Sequence, residues 1–446
     1  AAVDDIMSCL RRLLDDPGKS NAKAFHEAIN RRDLLQVIDE VLRQIRSDPA
    51  IKQSKLNAVA DWLLLNARDR QPLKFALALA QLNRDVPVLR DFIKLIASHE
   101  EFTLYGARAL YANSPDPVGD VWDLARHLNG WGRIHAVRLL AGSGNEQVRG
   151  WILREGFRNS VSDGYLALDA ARAGGLAKAL EGHDVDDQLI DAACAILAEL
   201  SSDDGPAGGL EDYEDWFEAT GALLNHVSDR PCRLDRMREV SLIRDRLAET
   251  AGYMMEDEEP GRSAVEELTG KADSYLQAGM SAGLIEEGLK SADDQTFNLA
   301  VFLARKRGMD IWEKLLKRYG NDPYAGEWYH LLQTKDAKRL SRVIARAQAL
   351  FDDNPDVIRS GDGPVSGLVL RYFDMVVQEL RHHPGKGWPL VKAALTSDIL
   401  RDRAMAYQAL AAWPRKRWPK EAKTAVREAL EREPDDKLRK THAQLV

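Results

Sequence analysis

AVRLLA, at residues 136–141, is one of five short stretches with alanine and leucine at helical spacing. In sequence order, the first residues of the five stretches are 31, 29, 31 and 26 positions apart. The stretches are ALALAQ (76–81), ARALYA (107–112), AVRLLA (136–141), ALDAAR (167–172) and ACAILA (193–198). Small residues at this spacing let a neighbouring helix approach closely. A period of about 30 residues therefore predicts a stack of similar helical units.

A second amphipathic pattern follows three of these stretches after a short turn. It occupies residues 86–98, 117–128 and 146–156. Two helices per period are typical of an α-solenoid, in which stacking buries the apolar face that a single repeat leaves open. The pattern persists later in the sequence, where the paired segments are 293–306 with 309–320 and 400–413 with 420–433.

Strand signals are nearly absent, because the sequence lacks runs of β-branched and aromatic residues with period-two alternation. We therefore predict an all-α protein. Loops are expected at the Gly-, Pro- and acid-rich stretches 201–209 and 256–263. The predicted organisation is an N-terminal helical cap (1–70), repeats (71–200), an irregular acidic helical segment with loops (201–292) and C-terminal repeats (293–446).

Composition is that of a folded globular protein, with 45% apolar and 30% charged residues. The three cysteines, Cys9, Cys194 and Cys232, form no CxxC pair and are too widely spaced for a small disulfide framework. No stretch approaches the roughly 18 apolar residues of a membrane span. These features predict a cytoplasmic protein with reduced thiols and no membrane partner.

Charge is distributed unevenly along the sequence. The net charge is +3 over residues 1–180, −20 over 181–300, +2 over 301–380 and +7 over 381–446. The acidic middle repels nucleic acid and membranes and suits a basic partner, whereas the basic C-terminal part can attract an anionic partner.

The helix pairs resemble HEAT-like repeats. The resemblance rests on short antiparallel pairs with small inner residues and on EPDDKLRK (433–440), where an acidic turn precedes a basic helix start. The phrases GWGRIHAVRLL (130–140), VRGWILREGFRNSV (148–161) and YLAL (165–168) further resemble bacterial HEAT-like proteins. The resemblance implies a right-handed solenoid of HEAT-like helix pairs that binds a protein or peptide on its concave face. It implies no cofactor.

Three residues of the stretch 131–140 are not explained by the helical repeat. Arg133, His135 and Arg138 lie away from the centre of the apolar stripe and can form a basic edge. One interpretation is a ridge that binds an anion or carboxylate. The alternative is structural: the arginines bond to loop carboxylates or carbonyls, and Trp131 packs over a repeat junction.

A second functional hypothesis is nucleic-acid recognition, because some HEAT-like proteins are DNA glycosylases that excise alkylated bases. Such an enzyme needs aromatic residues that line a cleft, a carboxylate that stabilises developing positive charge on the sugar, and basic residues that contact phosphates. Trp122, Asp123 and Trp151, with Arg133 or Arg138, supply these residue types. The low net charge of the first 180 residues departs from the pattern, so a protein or peptide partner is favoured over nucleic acid.

The densest basic run is WPRKRWPK (413–420), whose candidate binding residues are Arg415, Lys416, Arg417, Trp418 and Lys420. Basic residues between aromatics can contact phosphates and stack on bases. The structural alternative is that both tryptophans of the run pack on a helix junction.

No signature of a catalytic, metal or phosphate-binding site is present. The sequence has no HExxH, no P-loop, no GxGxxG after a strand and no GxSxG elbow between a strand and a helix, because its GMSAG (279–283) lies in a helical pattern. We therefore predict no catalytic residue, metal ligand or cofactor. The first hypothesis is a non-catalytic helical-repeat scaffold, and a weaker alternative is a subunit of a larger assembly.

Overall fold

A computed structural model describes residues 2–82, 86–182, 185–202, 205–206, 208–255, 260–322, 325–353 and 373–445. The protein is all-α: it is 76% helical, and the described residues contain 26 α-helices and no strand. The prediction of fold class is confirmed. The loops expected at 201–209 and 256–263 fall partly outside the described residues.

The protein divides into two compact units, Ala1–Gly288 and Leu289–Val446. The helices of the first unit are α1 (Ala2–Asp15), α2 (Lys19–Asn30), α3 (Ile38–Ser47), α4 (Gln53–Asn66), α5 (Arg70–Ala80), α6 (Val86–Ala97), α7 (Glu100–Asn113), α8 (Pro117–His127), α9 (Gly130–Ala141), α10 (Glu146–Trp151), α11 (Ala167–Gly174), α12 (Leu176–Glu181), α13 (Asp187–Leu200), α14 (Trp216–Ser228), α15 (Leu234–Tyr253), α16 (Arg262–Ser281) and α17 (Leu284–Gly288).

The helices of the second unit are α18 (Asp294–Lys306), α19 (Trp312–Tyr319), α20 (Glu327–Leu332), α21 (Ala337–Asp353), α22 (Phe373–Glu379), α23 (Trp388–Leu395), α24 (Leu400–Ala412), α25 (Ala422–Arg432) and α26 (Asp436–His442). Short 3₁₀ turns occur at Leu34–Gln36, Asp163–Tyr165, Leu210–Asp212, Leu380–His382, Arg415–Arg417 and Ala443–Leu445, and a π-helical turn at Ile152–Gly156 extends α10.

The five aligned stretches all lie in odd-numbered helices of the first unit. Helices α5, α7, α9, α11 and α13 each carry one stretch, and each packs on the next. Even-numbered helices cover them, with α8 against α7 and α9, and α14 against α12 and α13. The alanines and leucines of the stretches are largely buried, for example Ala136 and Leu140 at 0% exposure. The layered arrangement is compatible with a helical repeat.

Several polar contacts between neighbouring helix pairs join residues about one sequence period apart, although others have different separations. Side chains that bond 29 to 31 residues apart occur in both units. They are Arg90–Asp120, Lys94–Asp123, Arg138–Asp169, Arg244–Asp273, Arg339–Asp310 and Arg403–Glu433. These separations are compatible with a helical repeat.

The acidic middle of the protein includes the two longest described helices, α15 and α16, each of 20 residues. They pack against each other, and α13 packs on α15. The division into four segments stays a prediction. No helix within the described ranges has the length and hydropathy that crossing a bilayer requires.

Candidate functional site

The start of α9 is held by its own N-cap residue, Asn129, and by Glu100 of α7. Asn129 Oδ1 accepts hydrogen bonds from the backbone N–H groups of Gly130 (2.8 Å) and Ser160 (2.7 Å). Glu100 Oε1 accepts from the Trp131 N–H at 2.6 Å. Gly130 has a φ of +59°, and a Cβ there would lie 2.8 Å from Glu100 Oε1. Glycine is therefore required at this junction.

The loop after α10 is ordered mainly by the side chain of Asn159. Its Oδ1 accepts from the N–H groups of Val161 (2.9 Å) and Ser162 (3.0 Å), and its Nδ2 donates to the carbonyl of Ser162 (2.9 Å). The Asn159 N–H donates to Asp163 Oδ1 at 2.8 Å. These bonds place the Ser160 N–H where it donates to Asn129 Oδ1, and they position Tyr165 just before α11.

An exposed aromatic surface forms where α9 faces α11. We call Trp131, His135, Arg138 and Tyr165 the Trp131 patch. The Trp131 side chain is 41% exposed, and its ring meets the edge of Tyr165 with centroids 4.7 Å apart. His135 lies one helical turn further on, 6.3 Å from the Trp131 ring.

Arg138 is bound to the next helix pair. Its Nε donates to Asp169 Oδ2 at 3.3 Å, and its Nη2 donates to the Tyr165 carbonyl at 3.1 Å. Burial lowers the pKa of His135, and the charges of Arg138 and Arg108 lower it further. The imidazole therefore adds an aromatic face to the patch at neutral pH, because its charged form is disfavoured.

Arg133 points to a different group of residues. We call Trp122, Arg126, Arg133 and Trp151 the indole cluster, which lies between α8, the start of α9 and the end of α10. The guanidinium carbon of Arg133 lies 5.3 Å from the Trp151 ring centroid, and that of Arg126 lies 5.1 Å from the Trp122 ring centroid. The two indoles are 6.4 Å apart at 60°. Each indole ring therefore contacts one arginine guanidinium.

Two donor atoms of the indole cluster are buried and lack an acceptor among the described residues. They are Trp122 Nε1 and Arg133 Nε. Burial also lowers the pKa of Arg133, although the carboxylates of Glu155 and Asp163 act in the opposite direction. A buried donor left without a partner costs about 1–3 kcal/mol. Both atoms therefore lack, among the described residues, the acceptor that a buried donor normally has.

Asp123 faces the neighbouring helix pair. Its Oδ2 accepts from Lys94 Nζ at 2.7 Å, and its Oδ1 accepts from Arg126 Nη2 at 3.2 Å. The Lys94 hydrogen bond is the main cause of the lowered pKa of Asp123. The carboxylate is thus compensated by two cations.

Two carboxyl groups of the acidic middle have raised pKa values. Burial raises the pKa of Glu239 on α15 to about 7, with a further contribution from Asp235. Burial and the charge of Asp163 raise the pKa of Glu199 on α13. Sequence reasoning missed both groups, because a glutamate's depth in a folded protein has no local signal in the sequence.

The C-terminal basic run, 413–420, contains side chains that bond within the protein and side chains that are exposed to solvent. Arg415 lies 4.1 Å from the Trp418 ring centroid and donates to the Leu445 carbonyl at 2.7 Å. The Trp418 indole donates to the carbonyls of Leu410 and Trp413, both at 3.2 Å.

The remaining basic residues of the run are exposed: Lys416, Arg417 and Lys420. None of the three has an ion pair or side-chain hydrogen bond among the described residues. They can still contact an anionic partner. The three cysteines are free thiols, and no group of side chains within the described ranges is arranged to hold a metal ion.

The structure therefore splits the sequence candidates into separate groups. It brings Trp122, Trp151 and Arg133 together, and it places Arg138 with Trp131 and Tyr165. Arg126 was missed, although its position four residues after Trp122 predicts contact on a helix. Tyr165 was missed because its contact with Trp131 depends on the register between α9 and α11.

Comparison with known proteins adds no assignment. No protein-family model matches this sequence, and no curated protein matches it.

Proposed function

We propose that this protein is a non-catalytic scaffold of HEAT-like repeats in an α-solenoid, which binds a protein or peptide partner through the exposed side of its odd-numbered helices. The observation that carries the proposal is the Trp131 patch. Tryptophan, tyrosine and arginine dominate the binding energy of protein interfaces. Here all three residue types lie on one surface. Trp131 is exposed, although its backbone N–H is bound by Glu100 and its ring contacts Tyr165.

The charges around the patch also favour a protein partner. Arg138 is paired with Asp169, Arg172 with Glu214 at 2.6 Å, and Arg108 with Asp39 at 3.4 Å. Nucleic-acid binding depends on cations that neutralise phosphates. Arginines already paired with carboxylates supply little of that attraction, whereas a mixed polar rim around an aromatic centre is typical of protein interfaces.

A photo-reactive phenylalanine analogue introduced at Trp131 tests the proposal. The full-length protein is expressed in its native cells, irradiated, and its adducts are treated with protease or nuclease. Trp62 is the matched control position, because it is 44% exposed against 41% for Trp131. We expect a nuclease-resistant protein adduct at position 131 and none at 62. Adducts that disappear with nuclease, or no adduct above the control, would contradict the proposal.

The second candidate function is nucleic-acid binding, including excision of an alkylated base. Its support is the indole cluster, where two half-buried indoles and Arg133 resemble a stacking site. Its weakness is Asp123, whose carboxylate is engaged by Lys94 and Arg126. This function predicts salt-sensitive DNA binding and release of an alkylated base that Asp123→Asn abolishes. Equal release of the alkylated base by wild type and by Asp123→Asn would contradict this second function.

A further inference from the structure

The indole cluster has an arginine without an anionic partner. Three nearby arginines of the same unit have one: Arg126 bonds to Asp123, Arg138 to Asp169 and Arg158 to Asp163. Arg133 makes no ion pair and donates no side-chain hydrogen bond within the described residues, and its guanidinium rests on Trp151. The planar guanidinium fork matches the geometry of a carboxylate.

A second donor borders the same ring. Trp122 Nε1 is buried without an acceptor in the described part of the protein, and the Trp122 ring contacts Trp151. Indole N–H and guanidinium N–H groups only donate hydrogen bonds. Whatever satisfies both must therefore supply acceptor oxygens.

The position of Trp151 is fixed by its surroundings. A Cβ on Gly156 would lie 2.9 Å from the Trp151 ring, so the ring lies directly against the backbone of the π-helical turn. π-helical turns inside α-helices occur frequently at functional sites. Trp151 thus provides a rigid surface for Arg133.

The charge near Arg133 suits an anion with a single charge. Glu155 and Asp163 both act electrostatically on Arg133 without bonding to it. Glu155 accepts from Gln188 Nε2 at 2.9 Å, and Asp163 lies 3.5 Å from Arg158. Glu155 makes no ion pair among the described residues, so its charge repels a doubly charged phosphate more than a carboxylate.

We infer that the indole cluster receives a carboxylate of the partner protein, bound by Arg133 and Trp122 Nε1 against the face of Trp151. The inference rests on the proposed function, because it assigns a chemistry to the partner. The carboxylate belongs either to an acidic side group or to the partner's C-terminus.

Three synthetic peptides distinguish the sources of the carboxylate. Hexaglutamate with an amidated C-terminus carries side-group carboxylates only, hexaglutamine with a free C-terminus carries the terminal carboxylate only, and amidated hexaglutamine carries none. Each is titrated into the full-length protein while the indole ¹H–¹⁵N resonances are followed, with Trp122→Phe and Trp151→Phe used to assign two of them.

We expect at least one carboxylate-bearing peptide to shift the Trp122 and Trp151 resonances in a saturable way. Arg133→Ala should weaken that binding at least tenfold, and Trp122→Phe should weaken it about threefold while keeping an aromatic ring. Arg342→Ala, which removes an exposed arginine of the second unit, is the control and should bind the peptide as wild type does. Arg133→Lys, which keeps the charge but loses the planar fork, should bind more weakly than wild type.

Binding of amidated hexaglutamine with equal affinity would overturn the inference, as would an unchanged affinity of Arg133→Ala. A phosphoserine peptide that binds more tightly than hexaglutamate would contradict the preference for a single charge. If Arg133→Ala does not fold, Arg133→Lys and Trp122→Phe decide the outcome. The proposed function fails separately, through the absence of protein adducts at position 131, because these peptide titrations need no native partner.

Discussion

The Arg133 guanidinium lies over the Trp151 indole, with its central carbon 5.3 Å from the ring centroid. Arg138, on the same helix, instead bonds to Asp169 and to the Tyr165 carbonyl. The two arginines are five residues apart, which places them about 140° apart around a helix. One arginine therefore joins two helix pairs, and the other contacts an indole ring without an acceptor among the described residues.

The contact between Gly156 and Trp151 predicts opposite effects for two glycine substitutions. Gly156→Ala places a Cβ 2.9 Å from the ring, whereas a Cβ on Gly150 meets nothing within 4 Å. We expect Gly156→Ala to lower the free energy of unfolding by about 1–3 kcal/mol through overpacking. Gly150→Ala, in α10, should raise it by up to about 1 kcal/mol. Urea denaturation of both variants measures the difference, and equal shifts would contradict the ring placement.

A buried ion pair in the second unit predicts a large loss of stability. Arg403 donates to both oxygens of Glu433, each at 2.9 Å, and the two side chains are 10% and 0% exposed. Arg403→Met leaves the Glu433 carboxylate buried without its cation. We expect a loss of about 3–5 kcal/mol in the free energy of unfolding, measured by urea denaturation.

Arg342→Met is the matched control, because it breaks the Arg342–Glu313 pair, whose side chains are 54% and 57% exposed. That loss should stay below about 1 kcal/mol. Adding Glu433→Leu to Arg403→Met should recover much of the stability, because no unpaired charge then remains in the core. Equal losses for the two single variants would show that Glu433 is not buried as described.

The raised pKa of Glu239 predicts a pH dependence of stability. Its pKa is about 7 in the folded protein against a reference of 4.5, with burial as the main cause. Below pH 4.5 the carboxyl is protonated in both folded and unfolded states. Between pH 4.5 and 7 only the folded state keeps the proton, so stability falls as pH rises, and above pH 7 the loss is constant. Its upper limit is about 3 kcal/mol.

Glu239→Gln removes this loss. We expect the variant to be more stable than wild type at about pH 8, and the difference to shrink below about 1 kcal/mol at about pH 5. Glu249→Gln, on an exposed position of the same helix, is the control and should change stability equally at both pH values. Urea denaturation at the two pH values tests this, and a pH-independent effect of Glu239→Gln would refute it.

Helices are predictable from this sequence because their signals are local. The stretches at 76–81, 107–112, 136–141, 167–172 and 193–198 all lie in helices that pack in sequence order. The candidate site is less predictable, because its contacts depend on register between helices. Trp122 and Trp151 are 29 residues apart. Nothing local shows that their rings meet, or that Lys94 engages Asp123.

The dissociation constant for the partner captured by crosslinking at position 131 tests the central claim most directly. It is compared among wild type, Trp131→Ala and the similarly exposed control Trp62→Ala. The account predicts at least tenfold weaker binding for Trp131→Ala, as expected for an aromatic centre of an interface, and wild-type affinity for Trp62→Ala. Wild-type affinity for Trp131→Ala would contradict it.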